Sequence, residues 1–173
     1  MATTYSLIAS NTLSSSAASV TFSAIPNTFT DLVLKFSVRN SNTGGQIGTM
    51  TYRINGNTSG VYAQTFIRGD GSSANSNRSS ATEPGTIGYT NSDITTSNTF
   101  SNGEIYIPNY TNSSNKPHSV ALAHETNSST AYITAGANLF ADTSAITSLT
   151  FQFVSSHNFL SGSSFFLYGI KNS

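Results

Sequence analysis

Leu32-Val33-Leu34-Lys35-Phe36-Ser37-Val38-Arg39 alternates apolar and polar side chains with a period of two. In an extended segment, Leu32, Leu34, Phe36 and Val38 therefore share one face, while Lys35, Ser37 and Arg39 take the other. Such a strand is stable only in a sheet with one covered face. The same reading extends outward to Val20–Ile25, Thr49–Ile54, Ile105–Ile107, Val120–His124, Ile146–Val154 and Phe165–Ile170, and more weakly to Tyr5–Ile8, Tyr62–Ile67 and Tyr132–Leu139.

Between these windows stand Asn55-Gly56-Asn57, Gly69-Asp70-Gly71, Asn102-Gly103 and Ser161-Gly162-Ser163, whose Gly and Asn supply the positive φ of tight turns. No long helical period is present, and the β-branched and hydroxyl-rich content favours extended chain; a single helical turn fits only Phe140–Ala145. About nine to eleven short strands at close spacing predict an all-β, antiparallel β-sandwich, and the length suits an eight-stranded jelly roll with extra edge strands better than an immunoglobulin-like domain. We expect one domain over residues 1–173, with an exposed polar loop at about 70–82, where Ser, Asn and Gly dominate.

The chain holds 31 Ser, 24 Thr and 18 Asn, whereas charged residues make up 8% and the formal net charge is +0. Solubility therefore rests on neutral hydrogen-bonding groups with little long-range field. Hydrophobic residues at 36%, with 8 Tyr and 11 Phe, provide material for a core and set the chain apart from disordered polar tracts. The seven cations, Lys35, Arg39, Arg53, Arg68, Arg78, Lys116 and Lys171, form no basic stripe, which argues against a nucleic-acid partner. With no cysteine, disulfides and thiolate metal sites are excluded. The opening Met1-Ala2-Thr3-Thr4-Tyr5 reads as neither a secretory signal nor a membrane span, so no membrane insertion is expected.

No motif specifies chemistry. Arg68-Gly69-Asp70 matches an integrin-binding tripeptide but reads as turn chemistry. Five Asn-x-Ser/Thr triplets, beginning at Asn57, Asn77, Asn109, Asn112 and Asn127, are about the number this composition produces by chance. His118 and His124 fall on one face of a regular strand but about 20 Å apart, too far to share a metal; with His157 they read as structural or surface histidines. The carboxylates are Asp31, Asp70, Glu83, Asp93, Glu104, Glu125 and Asp142, among which Glu104 and Glu125 could meet on neighbouring strands as a glycosidase pair would. Tyr52, Tyr62, Tyr89, Tyr106, Tyr110 and Tyr132 read, one by one, as core and cross-strand packing, with a sugar-stacking or protein-binding surface as the alternative. We assign no catalytic, cofactor-binding or metal-ligating residues and expect no enzyme activity and no cofactor.

Four stretches carry a family likeness: Tyr5-Ser6-Leu7-Ile8-Ala9-Ser10, then Ala24-Ile25-Pro26-Asn27-Thr28-Phe29-Thr30-Asp31-Leu32 running into the strand to Arg39, then Glu104-Ile105-Tyr106-Ile107-Pro108-Asn109-Tyr110, and finally Leu167-Tyr168-Gly169-Ile170-Lys171-Asn172-Ser173. With these, the chain resembles small structural proteins of tailed bacteriophages, notably those of marine bacteria and cyanobacteria. The resemblance implies a virion protein made in the host cytoplasm: a capsid decoration (cement) subunit on the outer capsid surface, or a tail-fibre or adhesin-like domain recognising host glycan or protein. It implies phage capsid or tail proteins as partners and a symmetric homo-oligomer, by analogy with jelly-roll virion proteins a trimer. The motifs look like strand and turn determinants, with Pro26 leading into a turn and Pro108 ending a strand.

Overall fold

A computed structural model of the chain describes residues 4–127 and 130–171. The opening Met1–Thr3 and the final Asn172 and Ser173 lie outside the described residues. Twelve strands are present among the described residues: β1 (Tyr5–Thr12), β2 (Ser19–Phe22), β3 (Asp31–Val38), β4 (Ile47–Ile54), β5 (Tyr62–Gly69), β6 (Ala74–Thr82), β7 (Gly85–Asn91), β8 (Ser101–Ile107), β9 (Lys116–His124), β10 (Tyr132–Phe140), β11 (Leu149–Phe153) and β12 (Ser164–Ile170). They form an eight-stranded sheet in the order β1-β12-β3-β8-β9-β10-β5-β6 and a four-stranded sheet in the order β2-β11-β4-β7, with antiparallel neighbours throughout. The fold is an all-β sandwich. Among the described residues no helix is long and apolar enough to cross a membrane.

The alternation read from the sequence positions the core. Leu32, Leu34, Phe36 and Val38 of β3 are buried between the sheets and face Tyr52, Ile54, Phe151 and their neighbours in one continuous apolar cluster. Aromatic rings link the layers: Phe165 lies 5.8 Å from Phe151 and 5.1 Å from Phe159, and Tyr62 stands 5.8 Å from Tyr52 and 5.3 Å from Phe140. Each such side chain contributes roughly 1.5–3 kcal/mol by leaving water, and edge-to-face or offset geometry adds to that.

The structure departs from the sequence reading at several places. Residues 70–82 are not a loop: the turn is confined to Asp70–Ser73, where the Asp70 carboxylate accepts hydrogen bonds from the Ser72 and Ser73 backbone N–H groups at 2.9 and 2.7 Å, and β6 follows at once. Its side chains are nearly all exposed, so backbone pairing with β5 holds the strand and leaves no apolar alternation to read. Gly85–Asn91, which the sequence reading passed over, is also a strand.

Asn102-Gly103 is not a turn either, for it lies within β8. Gly103 stands across from Phe36, and a Cβ there would come within 2.5 Å of the Phe36 ring and 2.4 Å of the Ala121 carbonyl oxygen, so the glycine serves close packing. Phe140–Ala145 is not a helical turn: Phe140 ends β10 and an irregular connection follows it. The Ala141 N–H reaches the Val61 carbonyl and the Ile146 N–H that of Tyr110, so long-range partners replace helical ones.

Arg39 does not join Lys35 and Ser37 on the solvent side. Strand β3 ends at Val38, and Arg39, 6% exposed, turns inward. Its guanidinium donates to the carbonyls of Asp93, Thr95, Thr96 and Thr99 at 3.0, 3.0, 2.8 and 3.3 Å, with the Asp93 carboxylate 4.0 Å away. A planar fork of donors can organise a loop in this way, which an ammonium cannot do.

Candidate interaction face

The outer face of the eight-stranded sheet is set by register. Ile67, Ala135, Ala121, Glu104 and Lys35 are successive cross-strand neighbours over β5, β10, β9, β8 and β3. A parallel row runs Thr65, Ala137, Ser119, Tyr106, Val33, Tyr168 and Leu7. The alanines leave shallow depressions of about 390 and 450 Å³, floored by Ala121, Ala123, Ala135 and Ala137 and walled by Ile67 and Ile133. Ile67 and Ile133 are 62% and 63% exposed, and Tyr5 and Leu7 at the far edge 50% and 56%. Lys35 and Glu104 pair at 2.8 Å, and this contact holds the Lys35 ammonium above its usual proton affinity. The face is therefore broad and partly apolar, with its central charges paired and Arg78 exposed at its β6 margin: suited to contact, with little field to attract ions.

Of the tyrosines proposed from the sequence, Tyr52, Tyr62 and Tyr110 are wholly buried and belong to the core. Burial pushes the Tyr52 phenol well up, which keeps it a neutral donor and acceptor: it bonds His118 Nε2 and accepts from the Asn138 amide at 3.1 Å. Tyr106 lies on the outer face and donates to Asp31 at 2.7 Å. Tyr89 and Tyr132 meet edge-to-face at 5.2 Å at one end of the sandwich, with the Arg68 guanidinium 3.8 Å from the Tyr89 ring centre and 4.7 Å from that of Phe66. Beside them lies a cleft of about 350 Å³ lined by Asp70, Glu125, Tyr132, Ile133 and adjoining backbone. Glu125 Oε1 accepts from the Thr126 and Asn127 N–H groups at 2.8 and 2.7 Å.

The remaining candidates are dispersed. Glu104 is opposite Ala121, so Glu125, four residues further and beyond the end of β9, lies about 13 Å along the sheet. The structure does not bring the two carboxylates together. His118 and His124 do share the inner face of β9, at 5% and 1% exposure, and burial lowers both imidazoles to about 4. Arg68 points inward from β5 while Asp70 closes the turn, so Arg68-Gly69-Asp70 is a hairpin element. Among the described residues no group of three or more His, Asp or Glu gathers as metal ligands.

Three of the four stretches quoted above for the family resemblance meet at one corner. The Thr30 N–H reaches the Ile170 carbonyl at 2.7 Å, Asp31 accepts from the Asn109 N–H at 2.9 Å as well as from Tyr106, and the Tyr110 hydroxyl donates to the Pro26 carbonyl. Phe29 lies over Gly169, where any Cβ would sit 2.3 Å from its ring. Three segments far apart in sequence thus clasp one another, which gives the Tyr168-Gly169-Ile170 ending a packing reason. The alanine-floored face escaped the sequence reading. Its signal, Ala at alternate positions 121, 123, 135 and 137, becomes visible only once the inward face of β9 and β10 is known. Comparison with protein-family models, with curated proteins and with solved structures yields no match.

Proposed function

We propose that the protein is a non-enzymatic structural subunit of a tailed-phage virion, a decoration or cement protein that sits on the outer capsid surface through the outer face of its eight-stranded sheet. The observation that carries this reading is that face: Ile67, Ile133 and a floor of alanines exposed on a sheet whose central charges, Lys35 and Glu104, pair with each other. Apolar and hydroxyl contacts of this kind change little with ionic strength, which suits a subunit repeated over a shell.

Strand order supports the finer description of the fold as a jelly roll. With the eight jelly-roll strands lettered B to I, β2-β11-β4-β7 follows the order B-I-D-G, and β3-β8 together with β5-β6 follows C-H-E-F with the β9–β10 hairpin inserted. The remaining strands, β1 and β12, extend the C edge.

The test is mass spectrometry and electron microscopy of purified particles. A copy number in the hundreds with density on the shell is the expected result; density only at the tail tip overturns the capsid assignment. A receptor-binding reading is favoured by one separate observation, the cleft where Tyr132 stands beside two backbone-anchored carboxylates. An aromatic platform flanked by fixed acceptors is the chemistry that holds sugar hydroxyls. On that reading the isolated protein binds host cells and Tyr132→Ala abolishes the binding.

A further inference from the structure

The eight-stranded sheet ends on β6, whose one strand partner among the described residues is β5. From Ala74 to Arg78 every side chain is exposed, on both faces of the strand, so the four-stranded sheet leaves this margin uncovered. Register with β5 is regular from the Ala74–Gly69 pair to the Ser79–Gln64 pair and shifts only beyond it, near Ala81 at φ 54°. Six straight residues therefore present their outward N–H and C=O groups to solvent.

Natural sheets blunt such margins with bulges, Pro, Lys or very short strands. The other three sheet ends carry these devices. In β1 the register shifts between Leu7 and Ala9, the β7 ladder shifts opposite Met50 and Thr51, and β2 is only 4 residues long. The stretch Ala74-Asn75-Ser76-Asn77-Arg78-Ser79 has no Pro, no Lys and one charge.

We propose that this stretch of β6 pairs antiparallel with the same stretch of a second copy about a two-fold axis, joining two eight-stranded sheets into one. The straightness of the edge argues for self-pairing: among the described residues it is the longest unbroken run of sheet margin, six residues before its own register shift near Ala81, so the best-matched edge on another copy is β6 itself. Residues opposed across an antiparallel ladder must lie on the same face, so the axis passes through a residue and not between two. Centred on Ser76, it sets Arg78 opposite the partner's Ala74; centred on Asn77, opposite the partner's Ser76. Neither arrangement opposes like charges, and both align Asn and Ser side chains that can hydrogen-bond across the strands.

The axis stands normal to the sheet, so both outer faces look the same way. The two Ile67 rows then lie about 14 Å apart, three strand spacings, on one continuous surface. The contact is two-fold, so it builds even-numbered assemblies in place of the trimer expected by analogy. It is also smaller than a standard interface, so the dimer dissociates on dilution.

Sedimentation equilibrium of the isolated protein tests this without reference to any particle, so its outcome is independent of the capsid assignment. Weight-average mass is expected to climb from 18.2 kDa toward twice that value as concentration is raised to about 500 µM, a range that populates contacts this small. Amide exchange within residues 74–79 is expected to slow over the same range. The triple variant S76E/N77E/R78S keeps every backbone donor, places like charges at either axis and removes the cation that would otherwise face the new carboxylate at position 76 of the partner; it is expected to stay at monomer mass with an unchanged melting temperature. A wild type that remains monomeric or forms trimers, or a triple variant that dimerises like the wild type, overturns the proposal.

Discussion

Burial keeps both core histidines neutral. His118 donates from Nδ1 to the Lys116 carbonyl at 2.9 Å and receives the Tyr52 hydroxyl at Nε2, so it has no place for a second proton. His124 is packed 5.8 Å from the Tyr132 ring, with neither ring nitrogen hydrogen-bonded among the described residues. Both imidazoles titrate near 4, against an ordinary value of 6.5. Since the folded value is the lower one, the unfolded chain binds more protons as pH falls below 6.5, and stability declines until the folded state also protonates near 4. The loss is on the order of 3 kcal/mol for His118. Urea midpoints measured from pH 7 to 4 should fall steadily, and His124→Phe, which removes two unpaired buried nitrogens, should flatten the slope. The sequence places the two histidines on one face of β9, but burial of that face depends on the four-stranded sheet above it.

At the scale of the element, Arg39 is the side chain that makes the most hydrogen bonds to the loop after β7, beside those of Thr95, Thr96 and Thr99. Arg39→Ala removes four hydrogen bonds to the carbonyls of Asp93, Thr95, Thr96 and Thr99 and should cost about 2–4 kcal/mol. Protease cleavage within residues 93–99 should rise in parallel, and Arg39→Lys should not restore resistance, because an ammonium cannot span the four acceptors. The alternation hides this role, since it runs through Arg39 and assigns it to the solvent face, while the strand itself ends one residue earlier, at Val38. Strand β6 was hidden for the opposite reason. Ser and Asn on both faces carry no apolar period, and the ladder to β5 is made by backbone groups common to every residue.

For the molecule as a whole, the outer face separates stability from assembly. Ile67 and Ile133 are mostly exposed, so the double variant I67E/I133E should unfold within about 0.5 kcal/mol of the wild type. On the proposed function, particles carrying this variant should lose the subunit, scored by its band in purified virions; full occupancy would remove that face from the contact. What the amino-acid order determined by itself was the all-β class and the inward face of β3, β4, β9 and β11. Alternation is a local property, and each apolar residue partitions away from water whichever strand lies beside it. Tertiary structure alone decided which strands are neighbours, where Phe29 meets Gly169, that the alanines of β9 and β10 form an exposed floor, and that β6 ends the sheet. Those outcomes rest on backbone pairing between segments distant in sequence, and backbone hydrogen bonds are blind to side-chain identity.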